Sequence, residues 1–148
     1  MRIAIFGASS EIAKDLIVAY ARQNVHELFL YARRPWAVLQ WLTSLGISDS
    51  STVCEFSAFP NAVAFDAVLN FIGVGNPATA SAMGASILDV TLHYDSMALN
   101  YVQQHPDCRY LFLSSGAVYG RNFDQPVDAS SPCIHNINQL QPQDWYGI

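Results

Sequence analysis

Lysine is almost absent from this chain of 148 residues, because Lys14 is its single lysine and arginine supplies the other basic charges. Twelve acidic residues against seven basic ones give a net charge of −5 at pH 7. Broad binding to nucleic acid needs a basic face that displaces counterions from the phosphates. We therefore expect no nucleic-acid partner.

Metal-binding and disulfide patterns are also missing. The three cysteines are widely spaced and fit neither a disulfide framework nor a zinc knuckle. The four histidines show no paired ligand spacing on one helix face. The sequence thus predicts buried or unreactive thiols and no metal site.

Long apolar runs are absent as well. The most apolar stretch, residues 62–74, is interrupted by Asp66 and Asn70, and it falls short of the roughly 20 apolar residues that a membrane-spanning helix needs. Met1 and Arg2 lead directly into a short apolar segment and not into a secretory signal. We expect a cytoplasmic protein without a membrane partner.

The chain does contain enough apolar residues to form a core, since 51% are hydrophobic and 13% are charged, which suits one domain over residues 1–148. Strands are predicted at 2–6, 26–31, 51–56, 65–72 and 109–114, and helices at 11–20, 36–45 and 86–104. Residues 73–77 hold two glycines and a proline and are predicted to form a loop. This alternation predicts an α/β fold, a doubly wound parallel sheet of about five strands with helices on both faces.

The turn between the first predicted strand and helix is a candidate phosphate-binding site. In a doubly wound sheet, the backbone N–H groups of this turn and the helix N-terminus can hold a dinucleotide pyrophosphate. The glycine fingerprint is incomplete, because Ser10, Glu11 and Ala13 stand where its later glycines would be. A serine-capped helix without a ligand remains the alternative. The candidate cofactor-binding residues at this turn are Gly7, Ser9, Ser10, Glu11 and Ile12.

Two arginines, Arg33 and Arg34, follow the second predicted strand. At this place in nucleotide-binding sheets, a carboxylate binds the ribose 2′-hydroxyl of NAD, whereas an arginine can bind the 2′-phosphate of NADP. No carboxylate is present here, and paired guanidiniums are planar, bidentate donors to phosphate. If the turn at Gly7 binds a dinucleotide, the sequence favours NADP over NAD as cofactor. A solvated loop that carries two charges is the alternative.

The most specific motif follows the fifth predicted strand, where Ser114-Ser115-Gly116-Ala117-Val118-Tyr119-Gly120 is followed later by Asp144-Trp145-Tyr146-Gly147-Ile148. Together with the Gly7 turn and the segment 68–73, these motifs make the whole chain resemble the short-chain dehydrogenase/reductase superfamily. The resemblance is to the extended branch of NAD(P)-dependent epimerases, dehydratases and reductases. It implies an incomplete NAD(P)-binding Rossmann domain over residues 1–148, without the C-terminal substrate domain of that branch.

The resemblance also implies a chemistry. Ser115 and Tyr146 stand where the family has its catalytic serine and tyrosine. The tyrosine would exchange a proton with a substrate oxygen, Ser115 would hydrogen-bond the same oxygen, and hydride would pass to or from the nicotinamide. A turn-capping hydroxyl and a packed aromatic ring are the alternatives for these two residues. Asn70 and Gly73 are expected to line the cofactor, or else to form only a strand terminus with a glycine turn.

The family's lysine, four residues after the tyrosine, would fall at position 150. Because that lysine helps to lower the tyrosine pKa, we expect the chain to be part of a longer enzyme and to be inactive by itself. The whole enzyme would act on a hydroxyl or carbonyl carbon of a small, sugar-like molecule, such as a nucleotide sugar. A non-catalytic module that senses a dinucleotide or binds another protein is the alternative function. We also expect a homo-oligomer or a self-associating fragment, since the missing elements would leave apolar sheet surface exposed.

Overall fold

The computed structural model describes residues 1–59, 63–120, 125–133, 135–141 and 144–147. The contacts divide the chain into two compact units, of which the first comprises residues 1–72 and 95–113 and the second residues 73–94 and 114–148. Among the described residues, no helix is both long and apolar enough to cross a membrane.

The first unit is built on a parallel β-sheet. In the part of the chain that the structure describes, its strands are β1 (Arg2–Phe6), β2 (Glu27–Tyr31), β3 (Ser51–Cys54), β4 (Ala67–Asn70) and β5 (Arg109–Phe112). The strand order is β3-β2-β1-β4-β5, and every neighbouring pair is parallel. The chain therefore runs outward from β1 on one side and returns to the other side of β1 with β4. The prediction of a doubly wound parallel sheet is confirmed.

The helices begin and end at recognisable signals. They are α1 (Glu11–Gln23), α2 (Pro35–Ser44), α3 (Pro77–Met83) and α4 (Ser86–Gln104). The Ser10 side chain caps the start of α1, and Asn24 ends it in the left-handed conformation at φ 50°. Pro35 occupies the start of α2, where its missing N–H would have no helical partner in any case. The bounds of α4 match the predicted helix, and Pro106 follows its end.

The sequence prediction missed helix α3, because the glycines and the proline of residues 73–77 read as loop residues. Pro77 instead opens the helix, and the Oδ1 atom of Asn76 accepts the Thr79 N–H at 3.0 Å as its cap. Proline is well tolerated at a first helical position, since its fixed φ angle suits the helix. The same residue thus marks a helix start rather than the continuation of a loop.

Four strands are shorter than predicted. Strand β2 begins one residue later, at Glu27, and β5 ends two residues earlier, at Phe112. Strand β3 ends at Cys54, because residues 56–58 turn into a 3-10 helix. Strand β4 covers only Ala67–Asn70, and polar groups stand at both of its ends. Asp66 accepts the Arg2 N–H at 2.6 Å through its carboxylate, while Asn70 accepts the Ile72 N–H at 3.0 Å through its side chain.

Alternate residues of the sheet pack into a core on each of its faces. On one face the strands meet the buried sides of α1 and α2; this cluster consists of Ile3, Ile5, Ala8, Ala13, Ile17, Leu28, Leu30, Ala32, Val38 and Leu42. On the other face they meet aromatic residues and the later part of α4; this cluster consists of Ala4, Phe6, Phe29, Tyr31, Phe59, Phe65, Val68, Ala98, Tyr101 and Cys108. Helical cover on both faces explains why strands as apolar as β1 and β2 are buried.

The cysteines are all free, with Cys108 buried, Cys54 partly buried and Cys133 exposed. Burial raises the pKa of the Cys54 and Cys108 thiols. Both therefore carry less thiolate at neutral pH than an exposed cysteine does, which lowers their reactivity.

Within its described residues, the second unit contains α3, the beginning of α4 and two 3-10 turns. The first turn covers Gly116–Tyr119, directly after Ser115, and the second covers Asp144–Tyr146. These turns hold the residues of the sequence motif that follows β5.

Candidate functional site

The turn after β1 lies against the carboxyl ends of both neighbouring strands. The N–H groups of Gly7 and Ala8 donate to the Tyr31 carbonyl at the end of β2, at 3.0 and 3.1 Å. Gly7 has a φ of +75°, and a Cβ atom there would lie 3.0 Å from the Phe71 carbonyl carbon and 3.1 Å from the Ile72 nitrogen, just beyond β4. Glycine is thus favoured by both the positive φ and the tight space. The turn occupies the point where the strand order reverses, which is the usual ligand-binding crevice of such sheets.

Helix α1 points its N-terminus at this edge of the sheet. The Ser10 Oγ atom accepts the Ala13 N–H at 3.2 Å, and the Ser10 N–H donates to the Gly7 carbonyl at 2.9 Å. Ser10 is therefore the helix cap, as one of the two sequence interpretations expected. The N–H groups of Glu11 and Ile12 lie in the first turn and have no carbonyl one turn earlier to bind. The Ser10 cap thus satisfies the Ala13 N–H and leaves the N–H groups of Glu11 and Ile12 as donors for an anion.

The charge of Glu11 is partly balanced by the chain's single lysine. The Lys14 Nζ atom lies 2.8 Å from Glu11 Oε1 and 5.6 Å from the centroid of the Trp41 ring. The Glu11 side chain is 87% exposed, so the pair adds little stability. It does, however, draw the carboxylate one turn along the helix, which reduces its repulsion of an anion at the N-terminus.

Both arginines lie at the carboxyl end of β2, beside the Gly7 turn in the order of the sheet. Arg33 lies two residues after Tyr31, whose carbonyl anchors the turn. Arg34 directly precedes Pro35, the first residue of α2. Both side chains are exposed, and neither forms an ion pair within the described ranges. The guanidiniums are therefore available to a phosphate.

Asn70 ends β4 with its side chain buried and its amide engaged inside the fold. Its Nδ2 atom donates to Tyr110 Oη at 3.1 Å, and its Oδ1 atom accepts the Ile72 N–H at 3.0 Å. The Tyr110 hydroxyl in turn donates to Asp95 Oδ1. Burial, together with the hydrogen bond to Asp95, raises the pKa of Tyr110, so its hydroxyl remains a donor at neutral pH. Gly73, the other candidate near this strand end, belongs to the second unit.

In the second unit, the structure brings together the two turns that carry the serine and tyrosine motif. The Ser115 Oγ atom accepts the Ala117 N–H at 3.2 Å and caps the turn Gly116–Tyr119, as the alternative interpretation of this serine expected. The backbone of Tyr146 lies in the turn Asp144–Tyr146, while its side chain lies outside the described part. A Cβ atom on Gly147 would lie 2.7 Å from the Ala117 carbonyl carbon. The two turns therefore pack directly on each other.

Sequence reasoning missed His135 beside these turns. Its Nε2 atom is buried without a hydrogen-bond partner among the residues that the structure describes, and a Cβ atom on Gly147 would lie 2.8 Å from it. No spacing pattern in the sequence points to this histidine, because its neighbours come from distant segments. The sequence also left Asp95 and Tyr110 unassigned for the same reason.

A sequence profile of the NAD dependent epimerase/dehydratase family matches residues 3–147. No curated protein sequence gives a significant match. UDP-glucose 4-epimerase from Bifidobacterium longum, solved in complex with NAD+ and UDP, is similar at a TM-score of 0.76 and 14% identity, over 99% of this chain and 46% of its own.

Two further solved structures are similar. One is dTDP-glucose 4,6-dehydratase from Bacillus anthracis in complex with NAD, at a TM-score of 0.73 and 11% identity, over 99% of this chain and 47% of its own. The other is a short-chain dehydrogenase/reductase superfamily protein from Agrobacterium tumefaciens with bound NAD, at 0.67 and 20% identity, over 99% of this chain and 42% of its own. The likeness shows the fold, and the chain spans less than half the length of these structures.

The space at Gly7 leads to a first prediction. Gly46 offers a matched control, because it also has a positive φ of +68° but nothing within 4 Å of an added Cβ. We expect Gly46→Ala to lower the free energy of unfolding by about 1 kcal/mol. Gly7→Ala should lower it by about 2–3 kcal/mol, since a steric clash with the Phe71 and Ile72 backbone is added to the conformational cost. Urea unfolding followed by circular dichroism measures both, and equal losses would contradict the close approach.

Proposed function

Because that profile covers nearly the whole chain, the protein belongs to the NAD-dependent epimerase/dehydratase family, and we propose that its first unit binds a nicotinamide dinucleotide at the carboxyl edge of the sheet. The Gly7 turn carries this proposal. It is held by the Tyr31 carbonyl on one side and packed on Phe71 and Ile72 on the other. A pyrophosphate there would meet the first N–H groups of α1, the hydroxyl of the exposed Ser9 and the positive end of the helix dipole.

The arginines after β2 support NADP as the preferred cofactor. Arg33 and Arg34 are exposed cations at the strand end next to the Gly7 turn, and the segment that follows β2, residues 32–36, holds no carboxylate to bind a ribose 2′-hydroxyl. An arginine can bind a 2′-phosphate through two parallel hydrogen bonds. The similar structures described above contain NAD, so this preference would separate the protein from them.

In the whole enzyme, the second unit would handle the proton of the reaction. When bound, the nicotinamide supplies a hydride acceptor or donor for a carbon that bears a hydroxyl or carbonyl group. We assign to Tyr146 the transfer of the proton to or from that oxygen. We assign to Ser115 a hydrogen bond to the same oxygen, which would orient it. The contact between their two turns, at Gly147 and Ala117, supports a shared role.

A nucleotide sugar is the substrate class that we propose for the whole enzyme. The similar epimerase was solved with UDP, and another UDP-glucose 4-epimerase, from Stenotrophomonas maltophila, was solved with NAD and a formylated UDP-arabinopyranose. Oxidation and reduction at a sugar carbon need the dinucleotide and the proton-transferring pair, which are the two functions assigned to this chain.

The cofactor assignment is tested by titrating NADPH and NADH against the wild type and Arg33→Ala. We expect the wild type to bind NADPH more tightly. Arg33→Ala should raise the Kd for NADPH about tenfold or more, because a charged hydrogen bond to phosphate is lost, and should change the Kd for NADH less than about twofold. Arg109→Ala removes the same charge at the start of β5, where the amino ends of the strands lie. It should change the Kd of neither nucleotide. Equal losses for both nucleotides would refute the 2′-phosphate assignment, and no binding of either would refute the proposed function.

The catalytic assignment is tested in the protein that turns over substrate. Tyr146→Phe and Ser115→Ala should each lower kcat by about 10²-fold or more, with the Kd for the dinucleotide within about twofold of the wild type. Ser114→Ala is the matched control, because Ser114 is the exposed neighbour of Ser115 and has no assigned role. An unchanged kcat in both variants would refute the roles assigned to Tyr146 and Ser115. A wild type that binds the dinucleotide but turns over no substrate would instead be a sensing module.

We also propose that the chain self-associates through β5. Strand β5 is an edge of the sheet, and Leu111, Phe112 and the adjoining Leu113 are exposed. The other edge strand, β3, instead begins with Ser51 and Thr52. An unprotected apolar edge pairs readily with another strand, and the β5 edge of a second copy is complementary to it by two-fold symmetry.

Light scattering over a range of protein concentrations measures this association. The wild type should be larger than a monomer, and Leu111→Lys should shift it toward the monomer because a charge is placed on the pairing edge. Thr52→Lys places the same charge on the opposite edge strand and should leave the association unchanged. A monodisperse monomeric wild type would contradict the proposal.

A further inference from the structure

Two tyrosine hydroxyls hold the two ends of β4. At the amino end, Tyr101 Oη accepts the Phe65 N–H at 2.8 Å and donates to the Val63 carbonyl at 3.3 Å. At the carboxyl end, Tyr110 Oη accepts from Asn70 and donates to Asp95. The two arrangements are alike in chemistry, but only the second lies at the edge that carries the Gly7 turn.

The carboxyl-end contacts form a continuous chain from a helix to a backbone N–H. Asp95 on α4 accepts from Tyr110 on β5, Tyr110 accepts from Asn70 at the end of β4, and Asn70 accepts the Ile72 N–H. Asn70 is 1% exposed, so its amide is satisfied by protein groups and not by solvent. Losing one partner would leave a buried amide unsatisfied and would free the residues that follow the strand.

The end of this chain is the backbone on which the Gly7 turn rests. Phe71 donates its N–H to the Phe6 carbonyl at 3.0 Å, and the Ile72 nitrogen lies 3.1 Å from the position of a Cβ atom on Gly7. A shift of Phe71 or Ile72 by a few tenths of an ångström would therefore change the space available to the turn.

We propose that Asp95, acting through Tyr110 and Asn70, is a positioning residue for the dinucleotide site. It touches no cofactor. It holds the Phe71–Ile72 backbone at the place that gives the Gly7 turn its shape and aims the first N–H groups of α1. This role rests on the proposed binding of a dinucleotide at the Gly7 turn.

Tyr110→Phe tests the proposal, with Tyr101→Phe as the matched control at the opposite end of β4. Each change removes one hydroxyl that bridges two groups, and we expect both to lower Tm. Tyr110→Phe should also raise the Kd for NADPH about fivefold, whereas Tyr101→Phe should change it less than about twofold. Amide hydrogen exchange, read by NMR without any nucleotide, should become about tenfold faster at Ile72 and Gly7 in Tyr110→Phe only.

Two substitutions at Asp95 provide the rescue test. Asp95→Asn keeps an oxygen that can accept from Tyr110 and should retain the wild-type exchange rates and affinity, whereas Asp95→Leu should reproduce Tyr110→Phe. Equal effects of Tyr110→Phe and Tyr101→Phe on affinity and exchange would overturn the inference, as would failure of Asp95→Asn to differ from Asp95→Leu. If the wild type binds neither NADPH nor NADH while Ile72 and Gly7 still respond to Tyr110→Phe alone, the proposed function falls and the coupling of Asp95 to the turn stands.

Discussion

The burial of β1 on both faces and both edges is the constraint on which the first unit depends. Ile3 and Ile5 pack under α1 and α2, while Ala4 and Phe6 pack among the aromatic residues of the other face. Both edges are hydrogen-bonded, to β2 and to β4. A parallel strand buried in this way needs helical cover on each side. Because all the strands run in one direction, their carboxyl ends share one edge, and the turns that follow β1, β2 and β4 meet there.

At that edge, close packing of backbone replaces side-chain contacts. A Cβ atom on Gly7 would come within 3.0–3.1 Å of the Phe71 and Ile72 backbone, which is held by the Asn70 amide. The N-terminus of α1, whose first N–H groups have no helical partner, lies at this turn, while the Asn70 side chain is hydrogen-bonded within the fold. The phosphate binding that we propose would use these N–H groups and the helix dipole rather than a shaped apolar pocket.

The parts of the fold that follow from local sequence were predictable, and those that join distant residues were not. The bounds of α4 follow from its apolar spacing and the proline beyond it. Helix α3 was missed, because Pro77 is equally suited to a loop and to a first helical position, and the Asn76 cap decides between them. The partners of Asn70 could not be read from the sequence either, since Tyr110 lies 40 residues away. Motif spacing selected Gly7 and Ser115 as candidates, but it did not distinguish a ligand-binding role of Ser115 from the capping of a turn.

By itself, the sequence determined the order and type of most elements, the family to which its motifs point, and the placement of a glycine, two arginines and a serine at the ends of strands. These features depend on the periodicity of apolar residues and on residue types at turns, which are properties of short segments. Only the tertiary structure decided that Gly7 packs on the end of β4, that Asn70 is tied through Tyr110 to Asp95, and that Gly147 packs on Ala117. The reason is that these contacts arise from strand order, register and close packing, which bring together groups that no local pattern relates.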